Sequence, residues 1–226
     1  MKKIVLSFII LCAFVVVSNA QNEKFFRFGV HGNTGLSWMK PDQDSLEYQG
    51  MRIGLGWGFI GEMTIADNFS VATGFDVSYM GGKLQKAGVY QSYPPDTTEI
   101  LSIENSTYKL QYLDVPISLK MKTNEINYMT YFMRIGGSFG ICLNGKADRE
   151  YTSIGGGSNL TMNDIDLKDT KNFFRANFQI GGGVEYSLGG TTALLGEITF
   201  VNGLTYLIED NKAIGNYLMF KVGILF

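Results

Sequence analysis

Eight stretches of this chain alternate apolar and polar side chains at period two, each over a strand-length window. Helices repeat their apolar face at about 3.6 residues, so this spacing reads as strands with one greasy and one wet face. The first, 26–38, sets Phe26, Phe28, Val30, Leu36 and Trp38 against Arg27, Gly29, His31, Asn33 and Ser37. The second, 51–63, opposes Ile53, Leu55, Trp57 and Phe59 to Arg52, Gly54, Gly58 and Glu62. The third, 69–79, opposes Phe69, Val71, Phe75, Val77 and Tyr79 to Ser70, Gly74, Asp76 and Ser78.

The fourth stretch, 108–122, changes phase near Tyr112, after which Leu113, Val115, Ile117 and Leu119 oppose Asp114, Pro116, Ser118 and Lys120. A phase change beside a proline predicts a bulge. The remaining four, 131–143, 174–186, 193–201 and 216–226, place Arg134, Arg175, Glu185, Glu197 and Lys221 on their polar faces, and the last ends on the aromatic Phe226.

The connections alternate in length. Ala66 to Asn68, Thr123 to Asn127 and Gly189 to Thr191 are short; Lys40 to Gly50, Gly81 to Thr107, Asn144 to Asn172 and Thr205 to Gly215 are long and polar, and read as solvated loops. Short turns on one side and long loops on the other are the habit of outer-membrane barrels. The N-terminus agrees: Met1-Lys2-Lys3, an apolar run from Ile4 to Val17 and Ser18-Asn19-Ala20 form a secretory signal cut between Ala20 and Gln21. A lipid anchor on Cys12 is disfavoured by the bulky Leu11 before it.

The predicted organisation is therefore a signal peptide, 1–20, and one all-β domain, 21–226. That domain is an eight-stranded antiparallel up-and-down transmembrane β-barrel, with periplasmic termini and turns and longer external loops. A lipocalin is also an eight-stranded barrel, but its interior is an apolar cavity. Here the polar face carries Arg27, Arg52, Glu62, Asp76, Asp114, Lys120, Arg134, Arg175, Glu185, Glu197 and Lys221, with His31 among them, which suits a polar network lining a lumen. A basic residue on the lipid face costs roughly 2 to 4 kcal/mol near the midplane, so the pattern fixes the register of the wall.

Composition narrows the function. There are 19 basic against 21 acidic residues, which offers no basic stripe for nucleic acid. Once Cys12 leaves with the signal, Cys142 has no partner for an intramolecular disulfide. The 28 glycines fall mostly within the alternating stretches, where they leave room for long lumen side chains.

Tyr112-Leu113-Asp114-Val115-Pro116-Ile117-Ser118-Leu119-Lys120 resembles the pattern aromatic, Leu, acid, aliphatic, Pro, aliphatic, any, Leu, Lys of the PorT-like outer-membrane β-barrel domain family. Gly136-Gly137, Gly181 to Tyr186, Asn202-Gly203-Leu204 and Val222 to Phe226 echo it, although Ser118 stands where an aliphatic residue is commoner. The resemblance implies a small Gram-negative outer-membrane barrel, some of whose relatives assist a secretion and gliding machinery. It carries no catalytic residues over.

No motif demands a particular chemistry. His31 is the single histidine and has Arg27 and Asn33 as lumen-face neighbours, poor company for a general base. Asn163 to Asp169 lacks the glycine and terminal glutamate of a calcium loop, and Ile154 to Ser158 lacks the ending of a phosphate cradle. Asp114 and Glu185 could serve as paired carboxylates, but charges on a lumen wall are expected to pair with bases. Asp44-Ser45-Leu46 and Asp96-Thr97-Thr98 resemble an O-glycosylation pattern. The expectation is a barrel without catalytic, cofactor or metal residues. It would be embedded in outer-membrane lipid and assembled through recognition of Phe226 by the barrel-assembly machinery, and would act in binding or as an accessory to an envelope or secretion complex. The alternative is a transport protein, a narrow channel for small solutes.

Overall fold

The computed structural model describes residues 25–92, 99–153, 159–167, 170–209 and 211–226. The signal segment with Cys12, Ala20 and Gln21 lies outside them, as do Asp96 to Thr98 and Gly155 to Gly157. Among the described residues there are ten strands: β1 (Phe26–Pro41), β2 (Leu46–Gly50), β3 (Arg52–Ala66), β4 (Phe69–Ser92), β5 (Glu99–Lys122), β6 (Met129–Ser153), β7 (Leu160–Asp166), β8 (Phe174–Gly189), β9 (Thr192–Ile208) and β10 (Ala213–Leu225). Eight of them close a ring of antiparallel neighbours, β1-β3-β4-β5-β6-β8-β9-β10 and back to β1. β2 pairs with β4 and β7 with β6 beyond the ring.

Period two carries directly into burial. On β1, His31, Asn33 and Ser37 are buried while Phe28, Val30 and Leu36 are exposed. The exposed face continues round the wall, reaching 72% at Ile53 and 70% at Val222, with Phe59, Phe139, Ile198 and Phe220 between. A belt of this extent far exceeds the apolar patch a water-soluble monomer exposes, and lipid is the solvent that suits it. No helix among the described residues is long and apolar enough to cross a membrane; strands make the crossing.

Two expectations need correction. First, most of the predicted long loops between 81 and 107 and between 144 and 172 are sheet. β4, β5 and β6 run for 24, 24 and 25 residues, against 13 to 17 for the other wall strands, and project beyond the barrel with β2 and β7 hydrogen-bonded to them. Second, β5 does not change phase at Tyr112: Tyr108, Leu110, Tyr112, Asp114, Pro116, Ser118 and Lys120 all point inward. What changes is the interior, from polar to apolar. The bulge lies on the facing strand, where Gln111 pairs with Asn144 and Tyr112 with Cys142, leaving Leu143 as the extra residue of β6.

Pro116 still leaves a mark. Lacking an N–H, it coincides with a lapse in the β4–β5 ladder, whose pairs stop at Thr73 with Ile117 and resume at Asp76 with Asp114. The Thr73 hydroxyl donates to the Pro116 carbonyl at 2.9 Å and ties the two strands across the lapse. Gly74, in the same gap, has φ +150°, and a Cβ there would overlap the Phe59 carbonyl.

Candidate functional site

The interior is filled in three layers. Nearest the short turns lie three cations and three carboxylates drawn from six strands. Lys120 sits between Glu62, 2.5 Å away, and Glu185. Arg27 is 2.7 Å from Glu185 and 3.9 Å from Glu62. Arg134 lies 3.4 Å from Glu62 and 3.3 Å from Glu197, whose other oxygen accepts from the Thr199 hydroxyl. The Lys120 ammonium also stands 4.2 Å over the Phe132 ring. Lone buried charges would cost several kcal/mol each, and only this mutual pairing makes their burial tolerable.

The middle layer holds two smaller groups. Asp76 receives His31 Nε2 at 2.5 Å and Lys221 Nζ at 3.3 Å. Arg175 grips Asp114 through both Nε and Nη2, and a Ser78 hydroxyl also donates to Asp114 at 3.1 Å. A two-pronged guanidinium–carboxylate contact fixes orientation as well as charge. Nearby, Asn177 donates to Ser138 at 3.0 Å.

The third layer, at the projecting end, is apolar. Met39, Met80, Leu84, Tyr108, Leu110, Tyr112, Cys142, Ala147, Leu167, Leu207, Ile208 and Ala213 form one buried cluster. Arg175 joins it to the layer below, its guanidinium 4.1 Å from the Tyr112 ring centre and in contact with Met80 sulfur. Asn211, in the turn between β9 and β10, donates to the Tyr108 hydroxyl at 2.7 Å and folds that turn over the cluster.

Between the middle layer and the cap remains a cavity of about 20 Å³, bordered by Asp76, Met80, Asp114, Arg175 and Tyr217. That is room for about one water molecule. Eight-stranded barrels are just wide enough to be filled by side chains, and this one is.

Of the twelve predicted lumen residues, eleven sit in the two charged layers: Arg27, Glu62, Lys120, Arg134, Glu185 and Glu197 in the first, His31, Asp76, Asp114, Arg175 and Lys221 in the second. Arg52 is the correction. It is half-buried at the projecting end, level with the apolar cluster, and donates to the Tyr108 carbonyl at 3.4 Å, with no ion pair among the described residues. Its acidic neighbours on the sequence pattern all lie deeper in the barrel. The cap itself was missed in the sequence, although the unbroken even-position run from Tyr108 to Lys120 was its signal. Phe226 faces outward with its ring 5.6 Å from Phe28, and its backbone N–H donates to Phe28 at 2.7 Å. Among the described residues no group of three His, Cys, Asp or Glu could hold a metal ion. Asp164, in the candidate calcium run, is instead within 3.4 Å of Lys109.

A closed, up-and-down ring of amphipathic strands with a lipid-facing belt is matched by the sequence itself: residues 19–209 fit the family described as Outer membrane protein beta-barrel domain. The chain belongs to that family. As an outer membrane protein beta-barrel domain it resides in the outer membrane of a Gram-negative bacterium, embedded in lipid. The match ends before β10, which closes the ring on β1.

Among solved structures this barrel is similar to Ail, the attachment invasion locus protein of Yersinia pestis. The identity is 11%, over 89% of this chain and 99% of that one, with TM-score 0.37. It is also similar to Neisserial surface protein A, at 11% identity over 87% and 95% of the chains and TM-score 0.43. OprG from Pseudomonas aeruginosa is 8% identical over 89% and 93%, with TM-score 0.46. No curated protein matches the chain.

Proposed function

We propose that this barrel is a non-conducting, non-enzymatic binding protein of the outer membrane, acting at its rims as an accessory to an envelope or secretion complex. The observation that carries the reading is the filled interior: among the described residues, two layers of paired charges and an apolar cap border a cavity of only about 20 Å³. A solute channel needs a lumen, and an enzyme needs a reachable nucleophile and base. His31, the single histidine, is buried against Asp76. What is left for function is the two ends. The projecting sheet of β2, β4, β5, β6 and β7 offers an ordered surface beyond the lipid, which favours recognition over transport.

In this reading the signal is cut between Ala20 and Gln21, the short turns and both termini face the periplasm, and Phe226 serves the barrel-assembly machinery. The PorT-like wording from Tyr112 to Lys120 favours a secretion-linked complex as the setting. Planar-bilayer recording of the purified protein tests it: little or no steady conductance is expected, and steady ion-selective steps would overturn the reading. Pull-down from outer membranes in mild detergent then identifies the partner.

A further inference from the structure

The small space of about 20 Å³ between the middle ionic layer and the cap has a mixed lining. A cavity needs roughly 10 to 15 Å³ to hold one water, and it stays dry where its walls are wholly apolar. Met80, Val201 and Met219 supply apolar walls here, but Asp76, Asp114, Ser138, Gln179 and Tyr217 bring polar groups to the same space.

Hydrogen bonding decides what fits. An ionised carboxylate offers about four acceptor sites. Asp76 fills two of them, with His31 and Lys221. Asp114 fills three, with Arg175 twice and Ser78 once. Gln179 gives its amide N–H to the Gly137 carbonyl at 3.4 Å, which leaves its amide oxygen to accept. Ser138 receives Asn177 at 3.0 Å and keeps its own hydrogen to give. Acceptors therefore outnumber donors around the space, and a molecule carrying two hydrogens answers them. Charge argues against a cation in that place. Arg175 already holds Asp114, and Lys221, just behind the lining, stands 3.3 Å from Asp76, so two carboxylates meet two bases.

We propose that this space binds a single ordered water. It gives one hydrogen to Asp76, which has more free acceptor sites than Asp114, gives the other to the Gln179 amide oxygen, and accepts from the Ser138 hydroxyl. Three bonds are the usual complement of a buried water. These three residues belong to β4, β6 and β8. The water thus ties β4 to two strands with which it shares no ladder.

Two measurements on the whole mature chain in detergent micelles test the site. A crystal structure that orders solvent should show one water within hydrogen-bond distance of Asp76, Ser138 and Gln179; a dry space, or a file of waters running along the lumen, would overturn the proposal. In solution, methyl-labelled protein should give water cross-peaks of the long-lived sign at Met80, Val201 and Met219. Met39, buried in the cap and outside this lining, should give none. Cross-peaks absent from the three, or equally strong at Met39, would refute it. Ser138→Val removes the donor and fills the space, so it should abolish the three cross-peaks while keeping the heat-modifiable mobility of a folded barrel. Cross-peaks that persist in the folded variant would trace them to neighbouring hydroxyls and reject the water. If that variant does not fold, the crystal structure of the unaltered protein decides.

Discussion

Lys120 Nζ lies 2.5 Å from a Glu62 oxygen although the two residues are 58 positions apart and on strands that do not pair with each other. The contact crosses the barrel interior rather than following its wall. Replacing Lys120 by Met should destabilise the barrel by about 3 to 5 kcal/mol, because Glu62 and Glu185 lose the cation they share. Adding Glu62→Gln should cost less than the sum of the single changes, with a coupling of about 0.5 to 3 kcal/mol. Urea unfolding in micelles measures both; strict additivity would show that the pair does not interact.

The outward face makes a sharper claim about position. Val222→Arg should cost about 2 to 4 kcal/mol in a lipid bilayer, since Val222 is 70% exposed within the apolar belt. Lys83→Arg, on the projecting part of β4, should stay within about 0.5 kcal/mol. Similar costs at the two sites would mean the belt is drawn in the wrong place.

Gly74 and Gly196 test the backbone. At Gly74 a Cβ would overlap the Phe59 carbonyl at a φ of +150°, whereas at Gly196 the nearest atom is Val184 Cγ1 at 3.9 Å. Gly74→Ala should therefore cost about 2 kcal/mol or more, and Gly196→Ala about 0.5 or less. The shift in urea midpoint distinguishes them.

Acid should loosen the projecting sheet before the barrel. On the outer part of β6, beyond the lipid belt, Asp148 accepts the Asp164 N–H at 2.9 Å and lies 2.6 Å from Lys109 Nζ. These contacts hold its carboxyl below the ordinary 3.8. A carboxylate depressed on folding stabilises fully above its unfolded value, and the contribution fades as pH falls through the folded one. The protection of the Asp164 amide, measured as its exchange rate relative to the intrinsic rate at each pH, should fall over that acid window and stay flat in Asp148→Asn.

Much of the fold was legible because the wall meets lipid outside and charge inside, so polarity alone reports facing. That rule inverts at the projecting end. Tyr108, Leu110 and Tyr112 point inward like Asp114 and Lys120, yet they are apolar, and polarity reads them as a phase change. The ionic layers were legible as membership but not as partnership. Which acid meets which base depends on the stagger between strands: Asp76 takes His31 and Lys221 rather than an arginine, and Arg52 stands too far along the barrel to reach any of the interior carboxylates.

The layer of Arg27, Glu62, Lys120, Arg134, Glu185 and Glu197 draws on β1, β3, β5, β6, β8 and β9, so it is complete only in the closed ring. Some neighbouring strands carry balanced charge, as β9 and β10 do with Glu197 and Lys221, and others do not. β8 and β9 bring two glutamates and one arginine with them, Arg175, already committed to Asp114. Inserted early, such a hairpin would carry unanswered charge into the bilayer. The contact of Glu185 with Arg27 spans strands that are not neighbours, so closing the ring between β1 and β10 is what brings these two charges together.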